Sequence, residues 1–280
     1  MHQPAGSFFA QNTQGFEMRE STVKYLAGLL DADGCLSLRP SRGYKDGRIR
    51  VNVALSIRSG DATDLTGVIA SLPELTGLGQ THREADRFTI WTVTHRADLE
   101  MLLPRLIKHQ VIKAKHWQWV LEFWRDWRSQ DKGQKSLSEA EWETLRDEYK
   151  KSRRTRVGPI KPKNHPSWCW LAGYLDGDGC FSFRTSKNKN MRLSVTAHEL
   201  DACGLEFLQK AFGGTIRTHS AKPHIKVWWR GLGPSNATFA LNFLSKVARH
   251  ARIKRYKIDQ MIHWHRQRLS VSASTEEATV

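Results

Sequence analysis

Four aspartates in two pairs carry the chemistry that this chain of 280 residues can do. Asp31 and Asp33 close one glycine-bearing apolar segment, and Asp176 and Asp178 close another. Two residues apart, the members of a pair cannot point the same way on a helix. Both pairs also fall at a helix C-terminus, where the macrodipole disfavours negative charge by about 0.3–1 kcal/mol. A single Asp-Gly reads as a solvated last turn, but a duplicated Asp-x-Asp-Gly does not. Carboxylates gathered at paired helix ends repel and need a counter-charge. A hard divalent cation such as Mg²⁺ supplies it, because it takes oxygen ligands and keeps waters.

The elements that must position these acids are themselves duplicated. Leu26-Ala27-Gly28-Leu29-Leu30-Asp31-Ala32-Asp33-Gly34-Cys35 returns as Leu171-Ala172-Gly173-Tyr174-Leu175-Asp176-Gly177-Asp178-Gly179-Cys180. Such a match half a chain apart means two copies of one structural unit. Ala27 and Gly28, like Ala172 and Gly173, leave one helix face almost bare, so the two helices are expected to pack on each other about a pseudo-twofold axis. A glycine inside a helix costs about 1 kcal/mol relative to alanine, and its recurrence at one position implies a contact that offsets the loss.

Periodicity fills in the rest. The first helix is expected to start near Ser21 or Thr22 as N-cap and to break at Gly34. Strands are expected over 35–42 and 48–58 around a loop at 43–47, a helix over 62–71, strands over 78–83 and 87–94, and helices over 97–108 and 111–127. The second copy predicts a helix over 167–177, strands over 180–186 and 191–198, a helix over 201–212, strands over 214–219 and 224–230, and helices over 235–248 and 253–267. The chain therefore divides into an arm (1–17), a first unit (18–127), an insertion and linker (128–166), a second unit (167–268) and a tail (269–280). Within the insertion, 137–151 reads as a charged helix capped by Ser138. Residues 152–166 read as a basic, proline-containing tether whose charge is either solvated or set against phosphate.

A net charge of +16 with a pI near 9.9 is the footprint of a protein that sits on a polyanion. No stretch approaches the roughly 20 apolar residues that span a bilayer, and the N-terminus lacks an apolar core of signal-peptide length. The four cysteines form no CxxC pair, which argues against a zinc ribbon. Cys35 and Cys180 read as small buried residues in a reducing compartment. His263 and His265 read as a solvated helix face rather than a metal site.

The two motifs resemble those of the LAGLIDADG homing endonucleases, the dodecapeptide type, in their single-chain two-repeat form. The resemblance covers residues 18–268. It implies an α+β fold of two pseudo-symmetric αββαββα units packed through their motif helices, with a β-saddle for DNA. It also implies an intracellular enzyme that cuts both DNA strands across the minor groove of a long, imperfectly palindromic site, leaving four-base 3′ overhangs. The last acid of each motif, Asp33 or Asp178, is then the metal ligand, with the backbone carbonyls of Ala32 and Gly177 beside it. Two or three Mg²⁺ ions are implied, with Mn²⁺ substituting and Ca²⁺ supporting binding without cleavage. A basic residue near the start of each last helix is implied too. Lys115 and Lys257 are the candidates, with Lys113 and Lys254 as alternatives because the local alignment slips by one. The implied partner is double-stranded DNA, bound by a monomer acting as a pseudo-dimer with no obligate protein partner and no membrane.

Outward strand positions carry the groups for reading a groove. In the first unit these are Arg39, Arg42, Lys45, Arg48, Arg50 and Arg58. In the second they are Arg184, Lys187, Lys189, Arg192, Arg217, Lys226, Trp228 and Arg230. Arginine can bind guanine bidentately, while other cations only hold phosphates, and sequence does not sort the two. Trp119, Trp124, Trp127 and Trp264 read as packing groups. The rival function is an intron maturase or a catalytically silent nucleic-acid-binding protein of the same fold, but such members tend to lose motif acids and this chain keeps all four.

Overall fold

The structure, a computed structural model, describes residues 18–42, 48–60, 65–85, 87–129, 136–154, 166–184, 190–197, 202–221, 224–230 and 237–277. The first unit runs α1 (Glu20–Asp33), β1 (Gly34–Arg42), β2 (Ile49–Gly60), α2 (Leu65–Thr76), β3 (Gln80–Glu84), β4 (Phe88–Val93), α3 (Arg96–Ile107) and α4 (Ala114–Ser129). The insertion contributes α5 (Glu139–Arg154). The second unit runs α6 (Trp168–Asp178), β5 (Gly179–Arg184), β6 (Asn190–Ala197), α7 (Ala202–Phe212), β7 (Thr215–Ala221), β8 (His224–Arg230), α8 (Ala237–Ala248) and α9 (Arg255–Glu277). The expected α+β order is present in both halves.

Each unit builds one antiparallel sheet of four strands, in the orders β1-β2-β4-β3 and β5-β6-β8-β7. Strand alternation decides what each face carries. On β2, Val51, Val53, Leu55 and Ile57 are buried under the helices, while Arg50, Asn52 and Arg58 face outward. The main core, with Trp91, Trp117 and Trp170 among its largest buried side chains, extends from one unit into the other.

Several boundaries differ from the sequence reading. Neither Ser21 nor Thr22 caps α1: it begins at Glu20, and the Arg19 carbonyl accepts the N–H groups of Thr22 and Val23. The second helix is described over 65–76, past the expected end at 71, and contains Pro73, while 62–64 lie outside the described residues. The expected tail at 269–280 is largely helix, because α9 continues to Glu277; no glycine or proline interrupts it. Cys35 and Cys180 are exposed, not buried. Leu36 and Phe181 point into the core, so the residue before each must point out. The arm at 1–17 and the loop at 43–47 lie outside the described residues.

The insertion is an added layer. Ser138 caps α5 as expected, in a capping box: its N–H and hydroxyl donate to Glu141 Oε2, at 2.7 and 2.8 Å. Leu137 and Ile49 exchange backbone hydrogen bonds of 2.9 and 2.8 Å, beyond the stretch of β2 that pairs with β4. Leu137, Trp142 and Leu145 then bury a second, smaller core against Ile49 and Val51. Trp119 and Trp127 pack on this cluster, Trp124 is buried in the main core, and Trp264 packs at its edge, so the four tryptophans are packing groups.

Candidate nucleic-acid interface and acidic centre

The two motif helices cross in backbone contact. A Cβ added to Gly28 would lie 1.9 Å from the Trp170 carbonyl oxygen, and one added to Gly173 would lie 2.0 Å from that of Tyr25. No side chain fits at either place, so both glycines are needed for the close approach. Ala27 and Ala172 are fully buried beside them.

The crossing separates the four acids into two layers. Asp31 and Asp176 are each 1 % exposed. Asp31 accepts hydrogen bonds from the backbone N–H groups of Val111 (2.7 Å), Ile112 (3.3 Å) and Lys113 (2.9 Å) and from the Trp170 indole (2.9 Å). Asp176 accepts from Arg252 (2.8 Å), Ile253 (3.1 Å) and Lys254 (2.9 Å) and from the Tyr25 hydroxyl (2.8 Å). Each carboxylate thus caps the segment leading into the last helix of its own unit and holds an aromatic of the other motif helix. Burial raises the Asp31 carboxyl pKa, and the backbone donors and Lys113 act against the rise. The Tyr25 phenol is pushed well above its ordinary value, first by burial and then by Asp176.

Tyr25 and Trp170 were missed in the sequence, although a signal was there. Each is the residue just before its motif, and both are aromatic with a polar tip.

The lysine alternatives sort by register. Lys113 Nζ donates to the carbonyls of Leu30 (3.0 Å), Ala32 (3.0 Å) and Gly34 (2.9 Å). Lys254 Nζ donates to those of Leu175 (3.0 Å), Gly177 (2.8 Å) and Gly179 (2.6 Å). The two are equivalent, and each ammonium closes the carbonyl end of its motif helix, where acceptors lack partners and the dipole favours a cation. Lys115 and Lys257 do not form such a pair. One residue into the last helix the two units carry Lys115 and Tyr256, and at the next position His116 and Lys257. Burial pulls the Lys254 pKa down, while Asp176, Asp33 and Asp178 act to raise it.

Asp33 and Asp178 form the outer layer. Asp33 is exposed and Asp178 half-buried. Desolvation raises the Asp33 carboxyl pKa, and the positive charges of Lys113 and Lys254 oppose it. Since Lys254 belongs to the other unit, the acids and lysines of both halves share one electrostatic centre. Among the described residues no group of three or more His, Cys, Asp or Glu side chains gathers as a metal cluster. The oxygens at the ends of the motif helices are the Asp33 and Asp178 carboxylates and the Ala32 and Gly177 carbonyls, each carbonyl already accepting from Lys113 or Lys254. That hard oxygen set fits a Mg²⁺ or Ca²⁺ ion completed by waters and phosphate oxygens. The desolvated charge of Asp33 is a group that such a cation would offset.

The outward face of the first sheet leads away from this centre. Along β1 it carries Cys35, Ser37, Arg39 and Ser41, which pair in register with Ser56, Ala54, Asn52 and Arg50 of β2. Arg39, Arg48, Arg50 and Arg58 are exposed. Arg58 is already engaged, with Glu84 at 2.8 Å and its guanidinium 3.6 Å from the Phe88 ring centre. In the second sheet Arg192 pairs with Ser182, Arg217 with Trp228, and Arg230 with both Ser194 and Thr215. The side chains of Arg42, Arg184, Arg192, Arg217, Lys226, Trp228 and Arg230 lie outside the described residues, as do Lys45, Lys187 and Lys189. His263 is exposed on α9 and bonds Gln267 at 2.8 Å, a solvated helix face.

Two such units, each an αββαββ run closed by two helices and joined through glycine-bearing helices, match the fold of solved LAGLIDADG meganucleases. The fold aligns with I-SmaMI bound to uncleaveable DNA at a TM-score of 0.61 and 20 % identity, covering 91 % of this chain and 92 % of that one. It aligns with I-GzeII in complex with its DNA target at a TM-score of 0.63 and 16 % identity, covering 92 % of each chain. Residues 171–258 match the family model described as LAGLIDADG endonuclease. A stretch of 57 residues is 37 % identical to the probable intron-encoded endonuclease aI2 of Debaryomyces hansenii, which is 20 % of this chain and 8 % of that protein. The chain thus matches only a small part of that relative's length. The second unit thus matches the LAGLIDADG endonuclease family model, and both units together share the fold of solved single-chain LAGLIDADG meganucleases. Among the described residues no helix is long and apolar enough to cross a membrane.

Proposed function

We propose that this chain is a divalent-metal-dependent, site-specific DNA endonuclease that acts as a monomer on a long, imperfectly palindromic site. The observation that carries the reading is the shared centre: Asp33 and Lys113 of one unit and Asp178 and Lys254 of the other lie within electrostatic reach at the ends of the crossed motif helices. A net charge of +16 supplies the counterpart to DNA phosphate. Structural relatives with this fold have been seen on uncleaved DNA with calcium ions and on cleaved DNA.

Phosphodiester hydrolysis joins a water oxygen to phosphorus, breaks the bond to the 3′ oxygen and returns a proton to that oxygen. Asp33 and Asp178, with the Ala32 and Gly177 carbonyls, would hold the divalent cations, and that group would supply activation of the water and positive charge for the leaving oxygen. Lys113 and Lys254 cannot swing freely, since each ammonium is held by three carbonyls. They act as fixed positive charges beside the scissile phosphates, and Lys115 is an outer phosphate contact. Exposed Arg39, Arg48 and Arg50 set register and read bases. Cleavage across the minor groove with four-base 3′ overhangs completes the proposal.

The test is selection of cleaved sites from a randomised DNA library with Mg²⁺, with chelator as control. Recovery of one family of long sites cut on both strands supports the reading. Tight, specific binding with no cleavage in Mg²⁺ or Mn²⁺ would replace it with the silent-binder reading.

A further inference from the structure

The two halves of the centre differ at one atom. Ala32 and Gly177 occupy the same motif position in the two units, just before Asp33 and Asp178. A Cβ added to Gly177 would lie 2.4 Å from Ala32 Cβ, 2.7 Å from Asp33 Oδ2 and 3.5 Å from Asp33 Cγ. Contacts under 3.0 Å are not met by real side chains, so something must shift. The helix ends therefore converge with room for a single methyl, and the first unit supplies it. The Asp33 carboxylate leans into the space that the missing side chain leaves.

We infer that Gly177 is a positioning residue for Asp33, a carboxylate of the opposite unit, and that the two cleavage centres are inequivalent because of it. The inference rests on the endonuclease reading for its catalytic consequence. Its structural content, that position 177 sets where the Asp33 carboxylate stands, does not. By the pseudo-twofold, the equivalent space beside Asp178 is the one that the Ala32 methyl fills. Asp33 is exposed while Asp178 is half-buried, in keeping with different surroundings.

Three variants separate positioning from helix packing: Gly177→Ala, Ala32→Gly and the swap Ala32→Gly/Gly177→Ala. The swap removes the methyl that a Cβ at 177 would strike at 2.4 Å, but it leaves the contact with Asp33 Oδ2 at 2.7 Å. The first readout is the ¹³C carboxyl resonance of Asp33 and Asp178 in the metal-free protein, assigned with Asp33→Asn and Asp178→Asn. Gly177→Ala and the swap are both expected to move the Asp33 resonance, and the swap, which empties the space beside Asp178, is expected to move that of Asp178 as well. The second readout is cleavage of a supercoiled plasmid carrying a site recovered from the library selection. In both variants one strand is expected to be cut at least tenfold more slowly, so that nicked circle accumulates, while the swap regains the melting temperature that Gly177→Ala loses.

An unmoved Asp33 resonance in both variants overturns the inference, whatever the enzyme does. A swap that restores melting temperature, resonance and both strand rates together also overturns it, and makes Gly177 a packing residue alone. A moved resonance in a protein whose wild type cuts no DNA upholds the positioning and refutes the endonuclease reading.

Discussion

Asp31 and Asp33 are separated by one residue and by almost everything else. Asp31 is buried and receives four hydrogen bonds, so its charge is used up inside the protein. Asp33 is exposed, desolvated by its surroundings and faced by two lysines, so its charge is left for something outside. Asp176 repeats the buried, satisfied half of that division, while Asp178 stands half-buried at the end of its motif. A polar group that the protein satisfies in its interior does structural work, and one set near the surface among positive charges can meet a ligand.

The largest effect is expected where the satisfied layer is broken. In Asp31→Asn the amide NH₂ group must face N–H donors, and a buried acceptor is lost. Loss of one member of such a buried charged network costs about 3–5 kcal/mol. Thermal unfolding of Asp31→Asn and Asp176→Asn is expected to start well below wild type, with binding and cleavage falling together. Variants that melt like the wild type would refute the division into layers.

The outer layer is expected to fail in the opposite way. Asp33→Asn and Asp178→Asn should cut at least about a hundredfold more slowly while DNA affinity survives. Stability follows from sign. The folded-state pKa of Asp33 is raised, so its contribution is full below the unfolded value and is lost as pH rises through the folded one. Asp33→Asn escapes that loss, so its melting temperature should gain on wild type as pH rises across the acid range. The gain should be a few degrees at most, since 1 kcal/mol shifts a domain of this size by about 2–4 °C. A falling difference over that range would mean that Asp33 is a stabilising carboxylate like Asp31.

Much of this was legible before any coordinates. The duplication, the order of elements and the acidic pairs are local features, repeated in the chain itself. What was not legible depends on three-dimensional bookkeeping. Sequence left the lysines open between Lys115 with Lys257 and Lys113 with Lys254, because the equivalence of the second pair is fixed in space, where Asp31 and Asp176 cap the N–H groups that precede the last helices. Cys35 and Cys180 looked like buried residues by type, but their place is set by the parity of Leu36 and Phe181. The insertion was legible as a helix, yet its partner surface on β2 depends on a pairing between Ile49 and Leu137, far apart in sequence.

That insertion offers a weaker test of the same contrast, since it lies outside both acidic layers. Leu137 is buried in the second core, so Leu137→Ala should cost about 2–3 kcal/mol. The loss should appear first as faster amide exchange over 137–154 and along the start of β2, with the strand-cleavage rates nearly unchanged. A large drop in cleavage at constant folded fraction would show that the added layer supports the centre directly.

The smallest expected effect carries the contrast out to the sheet. Among the described residues Arg39 has a long 3.4 Å contact with the Ser37 hydroxyl, whereas Arg58 is paired with Glu84 and stacked on Phe88. Exposed ion pairs contribute little to stability, so neither Arg39→Ala nor Arg58→Ala should move the melting temperature by more than a degree or so. Their effects on DNA binding should differ. With about 8–10 phosphate contacts in all, the log–log salt slope of binding should be steep, near −0.9 per contact. If Arg39 meets a phosphate, Arg39→Ala should flatten that slope by about 0.9, because one fewer counterion is released. Arg58→Ala should flatten it less, since Glu84 already neutralises that guanidinium. Equal flattening by both would mean that DNA draws Arg58 away from Glu84, and Glu84→Gln should then tighten binding at low salt. A slope unchanged by Arg39→Ala, together with relaxed preference at one base pair, would instead assign Arg39 to a base edge.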